Sequence, residues 1–254
     1  MAQEESAEAE SNPEAATSQL SVEQIQAIIR HSRNREWTDV LTLTEGVDKG
    51  DPAYQSLLNL RLSALVQIKD FDKALAALAE MKEFEMPEEL LAFNFGEVYF
   101  LKGDYDKASD QFINFLSSEG NEMNALARYK LFLSYLLAGE EGDAIQLKNK
   151  IHPTISHPLY YYVQAAHCFH QDKEDEARDW IQSAAKIYNM VMNVAFADAL
   201  KEIGWLLPHE VTGIPVLTSA QLKSLNNEFQ PADPEKNYKK ESFLDKLLPD
   251  FGKK

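Results

Sequence analysis

The sequence lacks several features that define large classes of protein. It has one cysteine, Cys168, which excludes an internal disulfide framework and a cysteine-based zinc site. Glycine and proline number 10 each, too few for a loop-rich β-protein. No stretch approaches the roughly 18–20 uncharged apolar residues of a membrane-spanning helix. What is present is a hydrophobic fraction of 44% over 254 residues, enough to build a packed core.

Positive charge is also in short supply. The formal net charge is −16, which disfavours nucleic acid and anionic membranes as partners because both require a basic patch. Residues 1–19 carry five Glu, no basic residue and no apolar core, so we expect no signal peptide there. A mature exported protein has the same appearance. The compartment therefore stays open between the cytoplasm and export.

A repeat with a period near 34 residues organises the middle of the chain. The aromatic residues Trp37, Phe71 and Tyr105 lie one period apart. Three residues after each repeat start comes a small or β-branched residue: Val40, Ala74, Ala108, Ala144 and Ala177. An apolar stretch with helical periodicity precedes each start, so the spacing predicts helix–turn–helix units.

A period of this length, with small residues where two helices cross, resembles the tetratricopeptide repeat (TPR) family. The third unit carries the resemblance through Phe95, Gly96, Tyr99, Gly103, Tyr105, Ala108 and Phe112. The resemblance implies an all-α fold, a right-handed α-α superhelix of about five units. Two departures are that the first helix of unit one lacks the small residue and the aromatic, and that the proline often found at unit ends is absent.

The pattern divides the chain into a leader, a solenoid and a tail. Residues 1–20 are predicted to be a disordered acidic leader, followed by Ser21 as the N-cap of the first helix. The solenoid is predicted over 21–207, with units near 21–54, 55–88, 89–124, 125–157 and 158–190 and a capping helix at 191–207. The segment 208–254 is predicted to be extended or disordered, apart from a short helix near 219–226.

No motif for catalysis is apparent. The sequence contains no phosphate-binding glycine loop, no nucleophile elbow and no His-Glu-x-x-His zinc helix. His167 and His170 are the best metal candidates, but a zinc site needs three or four ligands, and we interpret them as surface or groove histidines. Cys168 is interpreted as a small buried hydrophobic residue. We therefore expect no enzymatic activity, no cofactor and no metal.

The resemblance also implies where a ligand binds. In TPR proteins the first helix of each unit lines a concave groove, and matching spacing predicts an aromatic, apolar groove over units three to five. The predicted partner-binding residues are Phe93, Glu97, Phe100, Tyr129, Leu133, Leu136, Tyr162 and Phe169. Matching places in units one and two hold Ile25, Ile29, Asn59 and Ser63. The carboxylate clamp of chaperone-binding members is absent, because only Asn59 remains of it.

The function predicted from these features is a non-enzymatic protein–protein interaction module that binds an apolar or amphipathic peptide in the groove. One alternative is a structural or assembly subunit whose groove is filled by its own C-terminal segment, through Ile214, Val216 and Leu217 or through 243–248. Another is that the aromatic residues pack against neighbouring helices, since an exposed apolar strip of this size usually has something covering it. The partner is a protein or peptide of unknown identity, and the oligomeric state is open.

Overall fold

The computed structural model describes residues 18–84, 86–117, 124–208 and 210–211. Within these ranges 74% of the residues are helical and no strand is present, so the all-α prediction is confirmed. The helices are α1 (Val22–Arg33), α2 (Trp37–Thr44), α3 (Tyr54–Gln67), α4 (Phe71–Met81), α5 (Glu88–Lys102), α6 (Tyr105–Leu116), α7 (Asn124–Ala138), α8 (Glu141–Asn149), α9 (Leu159–His170), α10 (Glu174–Ile187) and α11 (Met190–Glu202). The predicted acidic leader up to residue 17 and the predicted helix near 219–226 lie outside the described residues.

The first ten helices form five pairs, and the same turn joins the two helices of each pair. A residue with φ between 59° and 85° stands in every one of these turns: Arg35, Lys69, Gly103, Gly139 and Asp172. The amide of the next residue donates to a carbonyl five residues earlier, as from Asp104 to Tyr99 at 2.9 Å. Because the turn recurs with the period found in the sequence, the structure contains helical repeats.

The small residues predicted at the helix crossings lie in the core. Val40, Ala74, Ala108, Ala144 and Ala177 are all fully buried. In the third pair, a Cβ placed on Gly96 would lie 2.8 Å from Cε1 of the buried Phe112. The close approach predicted at Gly96 is therefore confirmed, and its partner across the helices is the Phe112 ring.

Local signals explain where the helices begin. Ser21 caps α1 as predicted: its hydroxyl accepts a bond from the Gln24 amide, and the Gln24 side chain accepts one from the Ser21 amide. The second helix of every pair carries an acidic residue in its first turn. Negative charge is favoured there because the helix dipole is positive at its N-terminus.

Consecutive helices pack against one another along the chain, from α1 on α2 to α6 on α7. Helix α7 also contacts α9 directly, so the first helices of pairs four and five lie side by side. The core forms three hydrophobic clusters, over α1–α3, α3–α5 and α5–α11. No helix in the described ranges is both long enough and apolar enough to cross a membrane.

Helix α11 differs from the final helix that the sequence predicted. It contacts α7 and α9 as well as α10, so it covers two first helices rather than only the last apolar face of the array. It ends at Glu202, not at residue 207, because Gly204 adopts a left-handed φ of +81° that stops the helix. Helix α11 therefore covers residues of α7 and α9 that would otherwise be accessible to solvent.

Candidate functional site on the inner face of helices α5, α7 and α9

The residues predicted to bind a partner lie on α5, α7 and α9, and nearly all of them are buried. Each of seven side chains is 7% exposed or less: Phe93, Phe100, Tyr129, Leu133, Leu136, Tyr162 and Phe169. The eighth, Glu97, is 26% exposed. These side chains belong to the core in this structure rather than to an open apolar groove. Phe93 is buried against Phe112 and Phe115 of α6, and Tyr129 and Tyr162 are buried against Phe196 of α11.

Helix α11 and the turn after it provide the cover. The Phe196 ring lies 5.4 Å from that of Tyr129 and 5.5 Å from that of Tyr162, measured between centroids. Trp205 stacks on Phe169 at 5.9 Å. Aromatic pairs of this kind each contribute about 0.5–1.5 kcal/mol beyond the area they bury. We call this surface of α5, α7 and α9, with its cover, the inner face of pairs three to five.

A buried ion cluster ties the cover to the repeats. The Lys130 ammonium on α7 donates to Glu97 on α5 at 2.6 Å and to Glu202 on α11 at 3.1 Å. Lys130 is only 4% exposed, and its ammonium also lies 5.0 Å from the centre of the Phe100 ring. One side chain therefore connects three helices of the inner face.

The pKa shifts of the cluster follow from burial and from the charges around it. Burial by itself lowers the pKa of Lys130, but Glu97 and Glu202 outweigh it, so the pKa is raised and the ammonium keeps its proton. Burial raises the pKa of Glu97, and the charge of Lys130 offsets only part of that rise. The cluster thus holds one cation between two carboxylates.

Polar atoms without partners lie beneath α11. The hydroxyls of Tyr129 and Tyr162 and the Oε1 atom of Glu97 are buried and have no hydrogen-bond partner among the described residues. Burial, which leads the causes in each case, raises the pKa of both tyrosines. An unmet buried hydrogen bond costs about 1–3 kcal/mol. The packing of α11 on the repeats therefore buries polar atoms whose hydrogen bonds are not made within the described residues.

The same positions in the first two pairs are left uncovered. Ile25, Ile29, Asn59, Ser63 and Val66 are all partly exposed. The Asn59 amide and the Ser63 hydroxyl donate only to carbonyls of their own helix, at 3.1 Å each. The equivalent surface of α1 and α3, which we call the open inner face, is thus partly exposed, whereas the inner face of pairs three to five is filled.

One group of side chains in the described ranges lies close enough together to share a metal ion. His31 Nδ1 is 2.5 Å from Glu36 Oε2 and 3.7 Å from Asp39 Oδ2. Glu36 and Asp39 are exposed, and the contacts close the turn between α1 and α2, so ordinary polar contacts at the surface explain them. His167 and His170 belong to no such group within the described residues.

The sequence did not reveal the residues of the cover. The sequence predicts Phe196 only as part of a capping helix, and it predicts no role for Glu202. Lys130 offered a signal, because it interrupts an apolar helix in which residues 131–138 carry no charge. Cys168, by contrast, is buried as predicted, and burial raises the pKa of its thiol.

Comparison with known proteins finds no matching family model and no significant similarity to a curated protein. The resemblance to TPR proteins therefore rests on the repeat pattern and its spacing. Function has to be inferred from the inner face itself.

Proposed function

We propose that the protein is a non-enzymatic interaction scaffold, a right-handed TPR-like superhelix of five units whose inner face is partly filled by its own helix α11. The recurring turn and the buried small positions support the repeat architecture. The observation that carries the proposal is the packing of Phe196 against Tyr129 and Tyr162. In this contact, α11 of the same chain occupies the positions at which the TPR resemblance implies that a ligand binds.

The titratable groups of the inner face favour a binding role over catalysis. Lys130 is paired with two carboxylates, and burial raises the pKa of Tyr129 and Tyr162 further above its ordinary value. Neither arrangement offers a free base or an activated nucleophile beside an open cleft. Rigid packing between repeats suits a scaffold, because a preorganised surface loses little entropy on binding.

A protein partner fits the charge of this scaffold better than nucleic acid does. The net charge is −16, and the second helix of each pair begins with an exposed carboxylate. If the protein acts in an assembly, we expect its partners to contact the second helices of the pairs and the partly exposed surface of α1 and α3.

The filled inner face is tested by shortening its central side chain. Phe196→Ala is expected to lower the free energy of unfolding by about 3–5 kcal/mol and to increase binding of a hydrophobic dye. Ala195→Ser, at an exposed site on the same helix, is the matched control and should change stability by less than about 0.5 kcal/mol. Equal stability and equal dye binding in the two variants would refute the proposal.

A second candidate function places peptide recognition at the open end of the inner face. It is favoured by the partial exposure of Ile29 and Ser63. Amphipathic peptides selected against the full chain should lose binding to Ile29→Glu without a loss of stability. Val22→Glu, at an exposed site on the same helix, should leave binding unchanged. Selected peptides that bind both variants equally would exclude this site.

A further inference from the structure

Two residues connect α10 to α11, and both are extended. Tyr188 has φ −112° and ψ 151°, and Asn189 has φ −67° and ψ 163°. No residue from Ile187 to Met192 is glycine or proline. The link therefore contains nothing that prevents helical φ and ψ. It stays extended because of specific contacts.

Three hydrogen bonds hold this link in its bent form. The Tyr188 hydroxyl donates to the Thr154 carbonyl, and the Asn193 side chain donates to the Tyr188 carbonyl at 2.9 Å. The Asn189 side chain accepts from the Met192 amide at 3.0 Å and so caps α11. Removing the cap weakens the bend without touching the inner face.

Large apolar side chains are exposed beside the link. Ile187, Met190 and Val191 are 54%, 53% and 78% exposed and lie within five positions of one another in the sequence. Met192 is exposed as well. A cluster of large apolar residues on the surface of a protein commonly marks an interface. Here the cluster lies at the point where the chain turns into α11.

We propose that two copies of this chain exchange their α11 helices, so that each inner face of pairs three to five is filled by α11 of the second copy. The inference rests on the proposed role of α11 as the filler of that face. Helix α11 of the second copy fits this surface because it has the same sequence, so its Phe196 contacts Tyr129 and Tyr162 in the same way. Its Glu202 likewise meets the same Lys130. The contacts of α11 with α7 and α9 are kept in the exchanged pair, whereas the three hydrogen bonds of the bent link are lost.

The exchange follows from straightening the link. If Tyr188 and Asn189 become helical, α10 and α11 merge into one helix over 174–202, about 43 Å long. The merged helix carries α11 away from its own chain and within reach of another. Two such helices cross near their links, where Ile187, Met190 and Val191 of both copies are buried together. That added burial favours the pair as protein concentration rises.

Two substitutions at one position separate the bent link from the straight one. Asn189→Ala and Asn189→Pro both remove the cap on α11. Alanine permits the merged helix, whereas proline fits the present φ of −67° but disfavours the merged helix by about 100-fold. Proline also favours the extended form that Tyr188 already has. Loss of the cap is expected to raise the dimer association constant about 5-fold per link in the alanine variant.

The readout is the molar mass by light scattering over a wide range of protein concentration. The exchange predicts that the dimer fraction rises with concentration, is larger for Asn189→Ala than for the unchanged chain, and vanishes for Asn189→Pro. Equal dimer fractions in the two variants, or a monomer for Asn189→Ala at every concentration, would overturn the proposal.

A charge exchange distinguishes swapped helices from copies that merely adhere. One chain carries Lys130→Glu and the other Glu202→Lys, so each has like charges in its own ion cluster. On mixing, the ammonium introduced at position 202 meets the carboxylate introduced at position 130, and heterodimers should predominate over homodimers. The chain with both substitutions is the matched control: its homodimers regain opposite charges, so after it is mixed with the unchanged chain homodimers should predominate. A statistical mixture would exclude the exchange.

These tests separate failure of the exchange from failure of the proposed function. If the exchange is wrong but α11 fills its own inner face, Phe196→Ala still destabilises the monomer and both Asn189 variants stay monomeric. If the inner face is not filled by α11 at all, Phe196→Ala leaves stability unchanged. In that case the charge exchange also has no effect.

Discussion

The two ends of the repeat array share one architecture and differ in what lies on their inner face. Pairs one and two use the same turn as pairs three to five, with a left-handed residue at Arg35 and Lys69 as at Gly103 and Gly139. In the first two pairs the inner positions stay partly exposed, whereas in pairs four and five the non-repeating helix α11 packs over them. In pair three Phe93 is buried against Phe112 and Phe115 of α6. The repeat thus sets the scaffold, and α11 sets the accessibility of its inner face.

The side chains at equivalent inner positions match this difference. One such position holds Ile25 and Asn59 at the open end but Tyr129 and Tyr162 at the filled end, with Phe93 between them. Large aromatic rings stand where another helix supplies a buried contact for them. Aliphatic and polar side chains stand where water reaches the surface. Each prediction below tests one part of this contrast.

The largest effect is expected at the buried ion cluster of the filled end. Lys130→Met leaves the carboxylates of Glu97 and Glu202 without their cation, which should lower the free energy of unfolding by about 3–5 kcal/mol at pH 7. Urea denaturation measures the loss. Lys49→Met is the control at the open end, where the ammonium contacts Glu80 and is largely exposed. Its effect should be much smaller.

The pH dependence of this variant has a definite sign. The pKa of Glu97 is raised in the folded protein, so the neutral acid is favoured by folding and stability is gained as the pH falls through that pKa. Without Lys130 the pKa of Glu97 rises further. The stability deficit of Lys130→Met relative to the unchanged chain should therefore shrink from pH 7 to pH 5. A deficit that grows over this range would contradict the assignment.

An intermediate effect is expected where two helices approach most closely. Gly96→Ala places a methyl group against the buried Phe112 ring and should destabilise the protein by about 1–3 kcal/mol. Gly142→Ala on α8 meets no atom within 4 Å and should stabilise by about 0.5 kcal/mol. Thermal unfolding distinguishes the two signs. A neutral Gly96→Ala would mean that the third pair is packed more loosely than its geometry indicates.

The smallest effect concerns the turn that both ends share. Lys69 has a left-handed φ of 62°, which disfavours a side chain, so Lys69→Gly should stabilise the second pair by about 0.5–1 kcal/mol. Gly103→Ala, at the equivalent place in the third pair, should destabilise by about 1 kcal/mol. Opposite shifts in the melting temperature are expected. Shifts of the same sign would indicate that the two turns are not equivalent.

The repeats were predictable because their signals are local. The period that joins Trp37, Phe71 and Tyr105 reappears as a recurring turn, and Gly96 stands where the helices touch. The Ser21 cap depends on a side chain three residues from the amide it binds. Caps and turns of this kind are determined by a few residues that are close together in the sequence, so the sequence pattern is enough to predict them.

The state of the inner face was not predictable in the same way. The pattern placed Tyr129 and Tyr162 on one surface, but their burial depends on Phe196, more than thirty residues away in the chain from either. The bend at Tyr188 that directs α11 over α7 and α9 depends on a contact with the Thr154 carbonyl. These are tertiary contacts, for which helical periodicity holds no information.

The most direct test of the central claim is a double-mutant cycle between α11 and the inner face. Tyr129→Leu, Phe196→Leu and their combination are compared by urea denaturation, with Asn59→Leu in place of Tyr129→Leu as the control. If α11 fills the inner face, the first cycle should give a coupling energy of at least about 1 kcal/mol and the control cycle one near zero. Additive effects of Tyr129→Leu and Phe196→Leu would contradict the account.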